Sequence, residues 1–345
     1  MVKKQFIQRD ISWLSFNARV LQEANDPSVP LKERIRFLGI FSNNSDEFFR
    51  VRVATLKRMV EFAEKRKRAN MHMEEKPQAI LDQIQMIVLQ QQNEFNRIWN
   101  GILKELKKEK ILLVDENHLS KDQQVFVKHF FDEQVRGNVI PLMIESLPQL
   151  PYLRDKSIFL GVVMRKKNSA YQQKYALIEV PAKAIGRFVT LPSKAGEQHI
   201  MLLEDVIRFN LPHIFSYFEY DHFDAHIFKV TKDAEIDIDN DLSTTFVEKI
   251  EKGLKNRRKG KPVRFVYDAN LPKDIYEFVI RKLKLEKSDS LIPGGRYHNF
   301  KDFIDFPEIG AKMLRNERVK PLVCPDLYNQ PSILEVLRKK DILLF

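Results

Sequence analysis

The spacing of apolar residues changes once along this chain, near residue 111, and this change constrains the fold more than any other feature. Up to about residue 106, apolar residues recur at helical spacing, as Leu14 and Leu21 do. Beyond that point come short, β-rich apolar runs such as Ile158–Met164 and Tyr175–Val180. We therefore predict an α+β chain, in which an all-helical N-terminal bundle precedes a mixed α/β head domain.

Local helix signals divide the first part into four predicted helices. Asp10 is a candidate N-cap for the first helix, and Pro30 suits the first turn of the second. The polar run Ser42–Ser45 is interpreted as a break, after which acidic residues favour a new helix start. The predicted helices begin near Asp10, Leu31, Asp46 and Pro77, and the last one reaches Lys108.

The second part mixes predicted strands and helices without strict alternation. The two apolar runs named above are joined by the polar residues Arg165–Lys174, which predicts a β-hairpin. Further strands are predicted at Arg187–Thr190, Ala225–Thr231 and Val263–Tyr267, and helices at Lys121–Arg136, Leu203–Asn210, Leu242–Asn256 and Lys273–Leu283.

An excess of positive charge indicates an affinity for polyanions. The 345 residues include 58 Lys and Arg against 47 Asp and Glu, a formal net charge of +11. Basic proteins attract nucleic acid, anionic lipid or phosphate-rich substrates. Two basic clusters could follow a long polyanion, and the alternative is a solvated helix face. They comprise Arg50, Arg52, Lys57, Arg58 and Lys65–Arg68, and then Lys249, Lys252, Lys255, Arg257, Arg258, Lys259, Lys261 and Arg264.

The sequence also excludes several kinds of site and location. Cys324 is the single cysteine, so neither an internal disulfide nor a cysteine-based zinc site can form. The first ten residues contain no apolar signal region, and Ile158–Met164 is far shorter than the ~20 residues of a membrane span. We predict a cytoplasmic protein with no integral membrane segment, with peripheral attachment to the membrane as an alternative.

Three further patterns partly resemble a P-loop, a metal-binding histidine pair and a calcium loop, but each lacks a feature that the site requires. Gly260-Lys261-Pro262 lacks the upstream glycine and the Ser or Thr of a P-loop. His222 and His226 are four residues apart, but a strand is predicted to begin between them, which disfavours a metal pair. A calcium loop would require glycine at Leu242, so helix capping is favoured for its candidate ligands, Asp237, Asp239, Asp241 and Glu248.

Two polar motifs are the strongest candidates for binding. Ser42–Phe49 contains Asn43 and Asn44, whose amides could pair with the edge of an adenine, although a helix cap is the simpler interpretation. Pro293–Phe300 combines two glycines with Arg296 and His298, which suit phosphate oxygens. Its simpler interpretation is a turn with aromatic residues packed in the core.

Several stretches resemble the long-form, phosphohistidine-type polyphosphate kinases, and they occur in that family's order. They are Asp10–Ala24, Pro30–Lys57, Val230–Glu235 and Ser290–Phe303, and the ending Arg338–Leu344 also fits. The resemblance covers essentially the whole chain. It implies a helical N-terminal domain at 1–106, an α+β head domain at 107–317, and at 318–345 the truncated start of the first phospholipase-D-like C-terminal domain.

The resemblance also implies a reaction: reversible transfer of the ATP γ-phosphoryl group to inorganic polyphosphate through a phosphohistidine, with Mg²⁺. In this family the nucleophilic histidine and the metal ligands belong to the C-terminal domains. We therefore expect no catalytic histidine and no metal ligand among these residues, and no kinase activity from them alone. The apolar ending Asp341–Phe345 separately predicts a cut inside an element.

By motif position, the resemblance assigns the ATP adenine contact to Asn44. Ser45 stands where the family usually has Leu, and is a candidate helix cap. Arg50, Arg52, Arg296 and His298 are expected to contact polyanion or a second subunit. The implied partners are ATP or ADP, polyphosphate, and a second copy bound through the head domain, with no nucleic acid. A basic nucleic-acid-binding module or a structural oligomerisation module is the alternative.

Overall fold

The helices of the first part form a bundle. A computed structural model describes residues 6–67, 77–144, 153–166, 169–234, 260–285, 290–317, 319–320 and 322–343. The bundle helices are α1 (Arg9–Asn25), α2 (Leu31–Phe48), α3 (Ala54–Lys67) and α4 (Pro77–Lys108), and a π-helical segment, Phe49–Val53, joins α2 to α3.

Two sheets follow the bundle. The strands are β1 (Ile111–Leu113), β2 (Leu142–Met143), β3 (Ile158–Lys166), β4 (Ser169–Glu179), β5 (Phe188–Leu191), β6 (Gln198–Leu202), β7 (His222–Lys232), β8 (Pro262–Asp268) and β9 (Ser290–Gly294). Three strands pair in the order β1-β6-β5, and six in the order β2-β4-β3-β7-β8-β9. The pairs β1–β6 and β8–β9 are parallel, and the other pairs are antiparallel.

Short helices surround these sheets. They are α5 (Lys121–Phe130), α6 (Ala182–Ile185), α7 (Leu203–Phe209), α8 (Leu211–Ile214), α9 (Lys273–Leu283) and α10 (Ile333–Leu337). A π-helical segment and a 3-10 turn continue α5 to Asn138, and 3-10 turns also form at Phe300–Asp305 and Lys312–Leu314.

The inner strand β3 is apolar from Ile158 to Met164 because both of its faces are covered there. Leu160 and Val162 face a core that includes residues of α5, α7 and α8. Phe159 and Val163, from the alternate positions, face a second core that includes Ile275 of α9. Successive side chains of a strand point to opposite faces, so burial on both sides gives an unbroken apolar run instead of alternation.

The bundle and the head share a third core. Phe300 packs edge-on against Trp99 of α4, with ring centroids 5.0 Å apart. Gly39 of α2 lies so close to the 3-10 turn that a Cβ there would come within 2.8 Å of the Ile304 backbone nitrogen. The two parts of the chain therefore meet through backbone contact, and glycine at position 39 makes that approach feasible.

The structure corrects two predictions about helix ends. Asp10 is not the cap of α1: the Gln8 side chain accepts hydrogen bonds from the backbone N–H groups of Asp10 and Ile11, at 2.7 and 3.0 Å. The break at Ser42–Ser45 and the helix start at Asp46 are also wrong, because α2 runs through them to Phe48. Asn44 and Ser45 bond to Asn17 of α1, and local helix signals cannot register a bond to another element.

Most of the other predicted elements are confirmed. These include α4, the β3–β4 hairpin, helical structure from Lys121, and α9. The arrangement of helices followed by mixed sheets is confirmed as well. Strand β9 was not predicted, because its Pro293 and Gly294 favour a turn; an edge position tolerates both. The predicted helix Leu242–Asn256 lies outside the described residues.

Candidate functional site: an amide pair beside a buried ion cluster

The Asn44 side chain is half-buried on α2 and bonds to a second asparagine. Its Nδ2 donates to Oδ1 of Asn17 on α1, at 3.1 Å. Asn17 is fully buried, and its own Nδ2 donates to the Phe41 carbonyl oxygen at 3.4 Å and to Ser45 Oγ at 3.2 Å. We call Asn17 and Asn44 the amide pair. It places one amide inside the bundle and the other at its edge.

Ser45 belongs to the same arrangement. Its hydroxyl donates to the Phe41 carbonyl one turn back in α2, at 2.9 Å, and accepts from Asn17. Ser45 lies inside α2, so its interpretation as a helix cap is wrong. Instead, this hydroxyl connects α1 to the interior of α2.

Two residues beyond Asn44, Asp46 lies at the centre of a buried ion cluster. Its carboxylate accepts from Lys229 Nζ of β7 at 2.5 Å and from Arg264 Nη1 of β8 at 3.3 Å. Lys229 also donates to Asn299 Oδ1 at 2.7 Å. Burial lowers the pKa of Lys229, and the Asp46 carboxylate opposes that shift. We call Asp46, Lys229, Arg264 and Asn299 the ion cluster. It ties α2 to the six-stranded sheet.

A cavity of about 30 Å³ adjoins the ion cluster, enough for one or two water molecules. His298 lies on its wall and is buried. Burial lowers the pKa of His298 to about 3, and nearby cations act in the same direction while Asp268 opposes them. The imidazole is therefore neutral near pH 7. Gly294 makes room for it, since a Cβ there would lie 2.5 Å from its Cε1.

Arg296 lies near this region but belongs to a different ion pair. Its guanidinium bonds to Glu116 and, at 2.9 Å, to Asp205, and 36% of its side chain is exposed. The Tyr297 hydroxyl also donates to Asp205, at 2.7 Å. Arg296 keeps an accessible face, whereas His298 is enclosed. Their predicted role as polyanion or subunit contacts stays a prediction.

Acidic partners from distant parts of the chain compensate the first basic cluster. Arg52 donates to Asp10 at 2.8 Å, and Arg58 is paired with Asp233. Arg50 lies 3.7 Å from a Glu47 oxygen and 3.9 Å from an Asp155 oxygen. Lys57 donates to the Val263 carbonyl oxygen at 3.0 Å. The first basic cluster is therefore partly neutralised in the fold. Apart from Glu47, three residues before Arg50, the partners are distant in the sequence.

Parts of two other predicted sites cannot be placed. The calcium-loop candidates Asp237, Asp239, Asp241 and Glu248, and the second basic cluster up to Lys259, lie outside the described residues. The last members of that cluster are placed apart: Lys261 Nζ lies 3.2 Å from Glu61, whereas Arg264 is buried in the ion cluster.

Six histidines in the described ranges lie close to carboxylates. His118, His129, His199, His213, His222 and His226 each have a ring nitrogen 2.6–3.3 Å from an Asp or Glu oxygen. Among the described residues, no three His, Cys, Asp or Glu side chains are grouped so that they could hold a metal ion. No helix in the described part of the chain has the length and apolar character to cross a membrane.

Two family models match this chain in sequence order. The polyphosphate kinase N-terminal domain matches residues 6–114, and the polyphosphate kinase middle domain matches residues 122–306, more than half of the chain. This chain belongs to the polyphosphate kinase family. The resemblance stated from the sequence motifs is thereby confirmed.

Individual polyphosphate kinases agree with this assignment. One from Vibrio parahaemolyticus is 38% identical over 347 residues, and one from Escherichia coli K12 is 38% identical over 349. Each alignment covers 99% of this chain, but 49% and 50% of the relative, respectively. The chain therefore spans about half the length of the curated relatives it matches.

A solved polyphosphate kinase also shares the fold. The crystal structure of the enzyme from Porphyromonas gingivalis matches with a TM-score of 0.77 and 29% identity, over 99% of this chain and 47% of that one. This polyphosphate kinase structure therefore also has helices followed by mixed sheets.

Sequence reasoning singled out Asn44 in this polyphosphate kinase segment but missed the residues around it. Asn17 lies inside one of the motif stretches, and Asp46 directly follows Ser45, which was a candidate helix cap. Both residues therefore belong to segments already selected from the sequence. Lys229 and Arg264 are 183 and 218 positions away from Asp46. No local signal links residues so far apart, because strand order alone brings them together.

Proposed function

We propose that this chain is the N-terminal and head part of a polyphosphate kinase that transfers the ATP γ-phosphoryl group reversibly to inorganic polyphosphate. The observation that carries the proposal is the match of both family models, in order, over residues 6–114 and 122–306. Phosphoryl transfer depends mainly on positioning and charge neutralisation. In this proposal the chain supplies positioning, and a histidine outside these residues supplies the nucleophile.

The proposed adenine contact is Asn44. Its half-buried amide lies at the edge of the bundle, and Asn17 holds it through a 3.1 Å hydrogen bond. An asparagine amide can donate and accept at once, which matches the amino group and adjacent ring nitrogen of adenine. A prepositioned amide loses little side-chain freedom on binding, so more of the contact energy is retained.

The proposed nucleophile is not among the histidines of this chain. The proposal rests on the resemblance to the polyphosphate kinase family, whose nucleophilic histidine belongs to the C-terminal domains. Among the described histidines, His298 is enclosed, and the other six each lie beside a carboxylate. His72 lies outside the described residues. A phosphohistidine elsewhere would split the transfer into two steps.

Mg²⁺ is proposed as the metal of the complete enzyme, where such an ion neutralises phosphate charge during transfer. Its ligands are proposed to lie outside this chain. Arg50, Arg52 and Arg296 are proposed to face the polyphosphate chain or a second subunit, and each keeps a quarter to a third of its side chain exposed. His298 carries the same proposal but would first have to become accessible. A homo-oligomer through the head domain completes the proposal.

A polyphosphate synthesis assay tests this function. With ATP, Mg²⁺ and a polyphosphate primer, the purified 345-residue chain is expected to make no polyphosphate. A longer product of the same gene, extending past Phe345, is expected to make it. Synthesis by the 345-residue chain would overturn the proposed place of the nucleophile. No synthesis by the longer product would overturn the proposed activity itself.

A further inference from the structure

The hydrogen bonds around Asn17 fix which way its amide faces. In ordinary structures the oxygen and nitrogen of an Asn amide are assigned from their hydrogen bonds. Here one branch of Asn17 faces the Phe41 carbonyl oxygen, at 3.4 Å, which can only accept. It also faces Ser45 Oγ, whose hydrogen is already donated to that carbonyl. Only the NH₂ branch of Asn17 satisfies both contacts, so its Oδ1 must point toward Asn44.

The orientation of Asn17 dictates the orientation of Asn44. Because Asn17 points its Oδ1 toward Asn44, Asn44 must donate from its NH₂ group, as it does in the 3.1 Å hydrogen bond. A flipped Asn44 would set two carbonyl oxygens against each other next to a fully buried residue, which is unfavourable. Within the described part of the chain, no other group bonds to the Asn44 amide. Asn44 therefore offers a ligand one acceptor, Oδ1, and its second N–H in a fixed order.

From this geometry we infer that Asn17 is a positioning residue that sets the nucleobase selectivity of Asn44. The inference rests on the proposed function and extends it from an adenine contact to discrimination between purines. Adenine presents an amino donor beside a ring-nitrogen acceptor, which complements the fixed Oδ1 and N–H. Hypoxanthine and guanine carry a carbonyl oxygen in place of that amino group. They would place this oxygen against Asn44 Oδ1.

Because Asn17 is buried and held in place, it restricts the rotation of the Asn44 amide. Asn44 is half-buried and would rotate freely without a partner, since the amide torsion of Asn is broad. Asn17 is held from two sides, by a helix carbonyl and by the Ser45 hydroxyl, and it cannot reorient without leaving a buried donor unpaired. Selectivity thus depends on a residue that touches no substrate.

The test compares ATP with inosine triphosphate, which has a carbonyl where adenine has its amino group. In the longer, active gene product, kcat/KM is measured for both nucleotides. The wild type is expected to prefer ATP, and Asn17→Ala is expected to reduce that preference about tenfold, because a bidentate base contact contributes discrimination of this order. A global loss of stability would lower both rates together and would leave the ratio unchanged.

One further variant sharpens the test. Ser45→Ala is the matched control: it removes a bond to Asn17 but leaves the Phe41 carbonyl to orient it, so the nucleotide ratio is expected to stay unchanged.

The outcomes separate this inference from the proposed function. If Asn44→Ala weakens ATP use while Asn17→Ala leaves the ratio intact, the inference fails and the adenine contact stands. If Asn44→Ala has no effect on ATP use, the adenine contact itself fails. A wild-type enzyme that uses ATP and inosine triphosphate equally well overturns the inference without any variant.

Discussion

The amide pair and the ion cluster each include one residue of α2, Asn44 and Asp46, which are two positions apart, and they are built in opposite ways. The amide pair is uncharged, and among the described residues the Asn44 Oδ1 and its second N–H form no hydrogen bond within the protein. The ion cluster is charged and enclosed, with Asp46 1% exposed and accepting from two cations of the sheet. This difference assigns them different tasks. An enclosed cluster can hold α2 against the head, whereas only a partly open group can meet a ligand.

Removing the Asp46 carboxylate should cause the largest loss of stability, and it tests most clearly whether the ion cluster differs from the amide pair. Asp46→Ala leaves Lys229 and Arg264 buried without their carboxylate, and breaking a buried pair in this way typically costs about 3–5 kcal/mol. Urea unfolding of the 345-residue chain should show this loss. Glu94→Ala, which removes an exposed partner of Arg97, is the control and should cost less than about 1 kcal/mol. Equal effects of the two variants would contradict the structural role of the ion cluster.

Acid should weaken the region of the ion cluster next. The pKa of His298 is lowered in the folded chain to about 3, below its ordinary value near 6.5. The unfolded chain therefore binds a proton first, and stability is lost as the pH falls through about 6.5 toward 3. The free energy of unfolding should be lower at pH 5.5 than at pH 7.5 by about 1 kcal/mol from this residue alone. The amide pair has no titrating group and contributes nothing to that difference.

His298→Gln provides the comparison for the pH experiment. Glutamine is neutral at both values, so this variant should lose the part of the pH dependence that belongs to His298. If wild type and variant show the same difference between pH 7.5 and 5.5, His298 is not held neutral by its surroundings, and the description of the cavity wall would need revision.

A smaller loss of stability is expected when the hydroxyl group that holds Asn17 is removed. Ser45→Ala removes the 2.9 Å bond to the Phe41 carbonyl and the acceptor of one Asn17 donor. Such neutral hydrogen bonds contribute about 1 kcal/mol each at most, and Asn17 keeps its bond to Phe41. Denaturant unfolding should register a loss of this size. A loss as large as that of Asp46→Ala would show that the two regions do not differ as described.

The sequence predicted the fold better than it predicted the surroundings of the site. Periodicity identified α4, the β3–β4 hairpin and α9, because each has a clear apolar pattern of its own. It failed at Ser42–Ser45, where a polar run looks like a break but Asn44 and Ser45 bond to Asn17 across the bundle. It assigned Arg264 to a basic cluster and did not predict that Arg264 and Lys229 pair with Asp46, because that pairing depends on the order of the strands.

The central claim is that Asn44 meets the adenine of ATP while Asp46 only holds the helix. The most direct measurement is the KM for ATP of Asn44→Ala in a gene product that extends past Phe345 and makes polyphosphate, with its unfolding free energy measured alongside. We expect KM to rise about tenfold with stability changed by less than about 1 kcal/mol, in contrast to Asp46→Ala. An unchanged KM, or a KM that rises only as far as the protein unfolds, would contradict the claim.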